Sequence, residues 1–266
     1  MEDITLQYLG FLNTPNLWLN TSDFKMQQFE ITKSISAVSN LENHKLRLGN
    51  LVERFVSLQL KQDETVSILV ENIQIQKDKI TIGEIDCLLK KGEQPIHLEI
   101  VYKFYLYDAT VGTTEMEHWI GPNRKDSLVQ KLAKLEEKQL PLLYHNCTKP
   151  VLEKLDVQVE EIQQQVCFKA QLFVPFHNQN IPFKAINASC VTGFYMSQKE
   201  LPQFADCEFF IPEKLDWLSD IPTHHLWQSY HTFLEALKPL LNQEKAPLCW
   251  LKKSNGETEK CFVVWW

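Results

Sequence analysis

The 266-residue sequence predicts an α/β fold whose first half runs helix, three-stranded meander, helix. Three observations carry that reading. Apolar residues over 43–61 recur at i, i+3, i+4 and i+7, the stripe of a half-buried helix. The period then falls to about two over 66–77, 79–90 and 97–107, which is the alternation of strands. It returns to a helical spacing over 126–140.

Taken in order, residues 3–20 place Ile4, Leu6, Leu9, Phe11, Leu12 and Leu17 at helical spacing and predict a short helix broken near Pro15. The helix over 43–61 presents Leu48, Leu51, Val52, Phe55, Leu58 and Leu60. A polar turn at Asp78 joins the first two strands, and Lys91-Gly92-Glu93-Gln94-Pro95 turns into the third. Pro122 and an N-cap at Asp126 introduce the next helix, with Leu128, Leu132 and Leu135 inward. The second half is less regular. Strands are expected over 164–176 and 186–196, and a helix over 225–241 ending near Pro239. A C-terminal hairpin (248–253 and 260–265) is turned by Ser254-Asn255-Gly256 in type I′ geometry. Lys149-Pro150 is the expected division between a core of residues 1–148 and an α+β extension of 149–266, packed apart or as one domain.

With 44% hydrophobic and 23% charged residues and only 8 Gly, the composition excludes disorder, collagen-like repeats and low complexity. The balance of 27 Lys and Arg against 34 Asp and Glu, formally −7, excludes a broad basic grip on duplex. No run reaches the ~18 apolar residues of a membrane span. Met1-Glu2-Asp3 does not open a secretory signal. The 7 Cys lack any Cys-x-x-Cys pair, so reduced thiols and a cytoplasmic location are expected. Phosphate-cradling glycine loops, Gly-x-Ser-x-Gly and His-Glu-x-x-His are not present in the sequence.

The chemistry concentrates in Gly83-Glu84-Ile85-Asp86 and Leu98-Glu99-Ile100-Val101-Tyr102-Lys103. Strand alternation puts Glu84 and Asp86 on one face, and Glu99, Val101 and Lys103 on one face of the next strand. Charges within apolar strands need partners, because burying them alone is costly. Either the face is solvated or internally ion-paired, or the carboxylates hold Mg²⁺ or Mn²⁺ with the lysine facing a phosphate. Glu53 in the preceding helix and Gln130 in the following one extend the set.

Helix acid, strand acid, strand acid plus lysine, and helix glutamine, in that order, resembles the PD-(D/E)XK nuclease superfamily. A closer resemblance covers most of the chain. It runs through Gly83–Asp86, Leu98-Glu99, Lys103–Leu106, Trp119-Ile120-Gly121-Pro122-Asn123-Arg124-Lys125-Asp126, Phe210–Trp217 and Cys261–Val264. These segments are similar to an uncharacterised family known as domain of unknown function 1853, a distant relative of that superfamily. The resemblance implies a restriction-endonuclease-like core with a C-terminal α+β extension. It implies Asp86, Glu99 and Glu84 as metal ligands, and Glu53, Lys103 and Gln130 as further catalytic residues.

One position departs from the superfamily pattern. Its acid stands two residues before the lysine, where this chain has Val101. Glu99 and Lys103 stand ~13 Å apart along an ideal strand rather than ~6.6 Å. A bulge, a displaced metal, or Glu84 as the migrated acid would accommodate this. Arg124 and Lys125 precede a helix N-terminus, a place suited to phosphate or simply to solvent. Lys131, Lys134 and Lys138 read as a solvated helix face. The expected function is metal-dependent hydrolysis of phosphodiesters in nucleic acid, bound weakly through a narrow footprint. The alternative is a catalytically silent module that binds nucleic acid or protein.

Overall fold

The computed structural model describes residues 3–21, 24–33, 46–221 and 225–266. Its helices are α1 (Asp3–Asn13), α2 (Leu48–Gln62), α3 (Leu128–Lys134), α4 (Lys149–Lys154) and α5 (Tyr230–Asn242). Its strands are β1 (Gln27–Gln28), β2 (Val66–Lys77), β3 (Ile80–Lys91), β4 (Gln94–Tyr107), β5 (Trp119–Ile120) and β6 (Gln163–Pro175). They continue with β7 (Val191–Ser197), β8 (Glu208–Phe210), β9 (Gln228–Ser229), β10 (Leu248–Lys252) and β11 (Thr258–Val264). Together they form a mixed α/β structure around one large mixed sheet. The strand order is β2-β3-β4-β6-β7-β11-β10-β8-β9, with β1 beside β6 and β5 beside β4.

The meander β2-β3-β4 is antiparallel, and β6 returns parallel to β4 after the crossover through α3. Because β4 and β6 come from either side of residue 149, the two halves of the chain share this sheet. Both strands are buried along nearly their whole length, as central strands covered on both faces must be. One cover is α1 and α2, whose Tyr8, Phe11, Leu51 and Phe55 pack with Leu98, Tyr102 and Phe104. The other is α3, whose Leu128 meets Val101, Tyr105 and Phe168. At the far end, Phe233 and Leu237 of α5 pack on Phe209, Cys249 and Cys261.

The β2–β3 turn has Asp78 at φ 49° and Lys79 at φ 69°, the two positive angles of a type I′ turn. Elsewhere local chemistry shifts the expected boundaries. Residues 43–45 of the helix expected over 43–61 lie outside the described residues. Ser127, not Asp126, caps α3, its hydroxyl accepting from Gln130 N. The helix expected to reach 140 instead changes pitch, to a π turn over Leu135–Gln139 and a 3₁₀ turn over Leu140–Tyr144. Pro141, near the start of the 3₁₀ turn, has no N–H to give an α-helical ladder. Pro239 stands inside α5, and that helix starts only at Tyr230 because Gln228 and Ser229 first pair with β8. In the C-terminal hairpin Gly256 alone has positive φ, at 87°. Lys253 N bonds Glu257 O, and Gly256 N bonds Lys253 O, which makes a three-residue loop rather than a type I′ turn.

Gly193 is required where β7 meets β11. A Cβ there would stand 1.9 Å from the Lys260 carbonyl oxygen. That oxygen belongs to sheet backbone and cannot swing aside. Gly193→Ala is expected to lower stability by ~3 kcal/mol in urea unfolding; an unchanged midpoint would refute the close packing.

Candidate active site

Strands β3 and β4 pair from Lys91 and Gln94 as far as Cys87 and Leu98, and then part. β3 continues alone with β2, so a fork opens beside Asp86 and Glu99. Parting leaves the N–H of Ile100 without a strand partner on that side, and Asp86 supplies one: its Oδ2 accepts at 2.8 Å. On the outer strand Asn72, at φ 52°, stands where it would face Asp86. Asparagine tolerates this left-handed geometry better than most residues. From there its amide donates to Glu53 Oε2 of α2 at 3.1 Å.

The fork thus draws acids from three elements into one electrostatic group. Burial, then Glu99 and Glu53, push the Asp86 carboxyl up to about 8, against the hydrogen bond from Ile100. Glu53 is raised by burial, with Glu84 and Glu99 adding to it and Asn72 opposing. Like charges raise one another in this way only when they are close.

Glu99 is fully buried and accepts hydrogen bonds on both oxygens. His97 Nε2 lies 3.0 Å from Oε1, and the Gln139 amide donates to Oε2. His97 Nδ1 meets the Gln164 amide nitrogen at 3.0 Å. An amide nitrogen only donates, so Nδ1 accepts, and the ring proton sits on Nε2, directed at Glu99. Gln164 also donates to the Leu140 carbonyl at 2.6 Å. Gln139 Oε1 in turn accepts from Lys131 Nζ at 2.7 Å. Burial and then Lys134 push Lys131 down to about 8, while Glu99 and Asp86 pull it back up. The π turn is what brings Gln139 round to Glu99; such turns are frequent at functional sites.

The remaining candidates lie elsewhere. Lys103 Nζ bonds Asp126 Oδ2 at 2.7 Å rather than an acid of the fork. Gln130 is exposed, and its backbone N–H serves the α3 cap. Arg124 has φ 54°, bonds Asp108 Oδ2 at 2.8 Å, and lays its guanidinium 4.4 Å from the Trp266 ring. Lys125 is exposed. Their segment acts as a clasp. Pro122 O accepts from Trp266 Nε1 at 3.2 Å, and Asn123 Oδ1 accepts from Ala246 N at 2.8 Å, fastening the C-terminal strands to the core.

Among the described residues, no group of three or more His, Cys, Asp or Glu has the spacing to hold a metal ion. No helix among them is long and apolar enough to cross a membrane.

The model of a family described as a domain of unknown function, DUF1853, matches residues 6–264. The chain belongs to this family. Neither a curated protein nor a solved structure matches it.

His97, Gln139 and Gln164 are not singled out by the sequence, and Lys131 is read there as part of a solvated helix face. A signal existed for His97, since a histidine two residues before Glu99 on one strand shares its face. None existed for Gln139, whose reach depends on the change of helical pitch. Lys131 reads as solvated because helical spacing alone cannot reveal the acids beneath it.

Proposed function

We propose that this chain is a metal-dependent phosphodiesterase acting on nucleic acid, with its site in the β3–β4 fork. The observation that carries the proposal is the convergence of Glu53, Glu84, Asp86 and Glu99 where two strands part, with Lys131 tied to Glu99 through Gln139. The order α2, β2, β3, β4, α3, β6, with β6 parallel to β4, supports a restriction-endonuclease-like core.

The donors suit a hard cation, being carboxylate oxygens. Mg²⁺ commonly takes one or two carboxylates and keeps waters for the rest, so a preassembled group of three is not needed. Asp86 and Glu99 would hold Mg²⁺ or Mn²⁺, with Glu84 and Glu53 as auxiliary acids. The bound ion would polarise the phosphate and lower the pKa of water. Asp86 offers Oδ1, its Oδ2 being engaged with Ile100. Gln139 and His97 fix the Glu99 carboxylate in orientation, as second partners of metal ligands do. Lys131, held beside the acids by Gln139, would face the phosphate, a role the spacing from Glu99 to Lys103 makes difficult for Lys103.

Calorimetry with Mg²⁺ and Mn²⁺, and cleavage assays on DNA and RNA oligonucleotides, test this directly. Ion binding and cleavage are expected in the wild type, both lost in Asp86→Ala. Cleavage that survives Asp86→Ala, or no ion binding at all, defeats the proposal. The second outcome favours the silent module, which the burial of Val101 and the engagement of both Glu99 oxygens also suit.

A further inference from the structure

We infer that Lys134, Lys131, Lys103 and Lys214 form a track that binds a nucleic-acid strand along the unpaired edge of β4. This names the binding surface for the substrate class proposed above and rests on that reading, but it concerns binding and not cleavage.

The edge exists because of the fork. β3 leaves β4 after Leu98, and β5 joins it only at Leu106, so among the described residues the intervening stretch lacks a strand neighbour on that side. Ile100 N there is satisfied by Asp86. From Glu99 to Lys103 is ~13 Å along the strand, about four nucleotide steps at a helical rise of ~3.4 Å and fewer in an extended strand.

Cations from three segments meet along this line. Lys131 and Lys134, three apart on α3, share a helix face and repel each other. Lys103 repels Lys131 on one side and Lys214 on the other. Lys214 Nζ lies 3.1 Å from the centre of the Trp217 ring and 5.4 Å from that of Phe104, whose side chain points to the opposite face of β4 from Lys103. Asp126, bonded to Lys103, is the acid placed between Lys103 and Lys214.

The pairs Lys131–Lys134, Lys131–Lys103 and Lys103–Lys214 each bring like charges together in an otherwise acidic chain, which raises the energy of the unliganded surface. A single compact anion would draw cations around one point; these are strung out in series, as a repeating anion requires. Lys131 stands at the carboxylates through Gln139, with Lys134 beside it and Lys103 and Lys214 farther along β4, so a strand lying on them would carry one phosphodiester into the fork. A nucleic-acid strand has that repeat.

Fluorescence anisotropy with 15-nucleotide single-stranded DNA and RNA, in EDTA so that hydrolysis plays no part, measures the track. Lys103→Gln/Lys134→Gln/Lys214→Gln is expected to raise Kd at least tenfold. The slope of log K against log salt should fall by ~2, from ~0.7 for each single-strand phosphate contact. A control double variant would not share this loss: Lys199→Gln/Lys238→Gln, after β7 and in α5, should bind as wild type. Circular dichroism checks folding, and Lys103→Arg in place of Lys103→Gln should restore part of the affinity if charge is what matters. The track is refuted if the wild type binds neither strand, if the triple variant binds like wild type, or if the control weakens binding equally. Intact binding with no cleavage under any divalent ion would defeat the hydrolytic reading and leave the track standing.

Discussion

Asp86→Asn is expected to raise the unfolding midpoint near pH 8 while reducing ion-dependent cleavage at least ~100-fold. The folded carboxyl is held up to about 8 by burial and by Glu99 and Glu53, whereas an unfolded aspartate titrates near ~3.9. Between those values the unfolded chain releases a proton that the folded chain keeps. Stability contributed by Asp86 therefore falls as pH rises, by at most ~1.4 kcal/mol per unit. Asparagine cannot ionise, yet its oxygen can still accept from Ile100, so the fork keeps its hydrogen bond. The variant's advantage over wild type should grow from about pH 5 to pH 8 in EDTA. Divalent ion should narrow that gap by stabilising the wild type alone, by ~2.7 kcal/mol at a hundred times Kd. Thermal unfolding across pH, with EDTA or Mg²⁺, reads both effects. A pH-independent gap would show that Asp86 is not the titrating group, and ion stabilisation retained by the variant would remove Asp86 from the site.

The same residue shows how far sequence reasoning reaches. Glu84, Asp86 and Glu99 can be named from the alternation of two strands, because charges inside apolar strands demand a reason. Their approach to one another depends on where β3 leaves β4, which is a matter of pairing and not of either strand's own pattern. The left-handed Asn72 that meets Glu53 lies inside an ordinary-looking strand. The meander itself was legible, since its turns carry Asp78 and Gly92 where positive φ is needed. The helix around 126–140 was legible to within a residue at its start, where Ser127 rather than Asp126 caps it, and not at its end, where Pro141 changes the pitch and turns Gln139 inward. Trp119–Asp126 stands out in the sequence by its unusual residues. Its role as a clasp could not be read there, because Trp266 and Ala246 are more than a hundred residues away.

Lys260→Met is expected to cost ~3 kcal/mol and lower the thermal midpoint by roughly 10 °C. Lys260 is 4% exposed on β11, and its ammonium donates to Gln171 Oε1 at 2.8 Å, Trp217 O at 2.7 Å and Ser219 O at 3.2 Å. Three acceptors match the three protons of an ammonium. Gln171 passes the network on to the Tyr102 hydroxyl at 2.8 Å, which meets Thr14 Oγ1 at 2.6 Å. One buried chain of polar groups thereby joins β11, β6, β4 and the end of α1. Methionine fills much of the same volume but removes the donor to Gln171 Oε1 and Ser219 O, the Trp217 carbonyl keeping the Gln171 amide at 3.3 Å, and an unmade buried hydrogen bond costs more than a made one contributes. Burial pushes Lys260 down to about 7, with Asp220 opposing, whereas an unfolded lysine titrates near ~10.4. The unfolded chain therefore binds more protons between those values, and wild-type stability from this group rises with pH above about 7. The variant lacks that rise, so its deficit should widen toward pH 10. A cycle with Gln171→Leu separates the network from packing: removing both partners should cost less than the sum of the two single changes. Strict additivity would mean that Lys260 contributes through its hydrocarbon stem alone, beside its strand partner Trp250, and that the polar chain does not join the strands it touches.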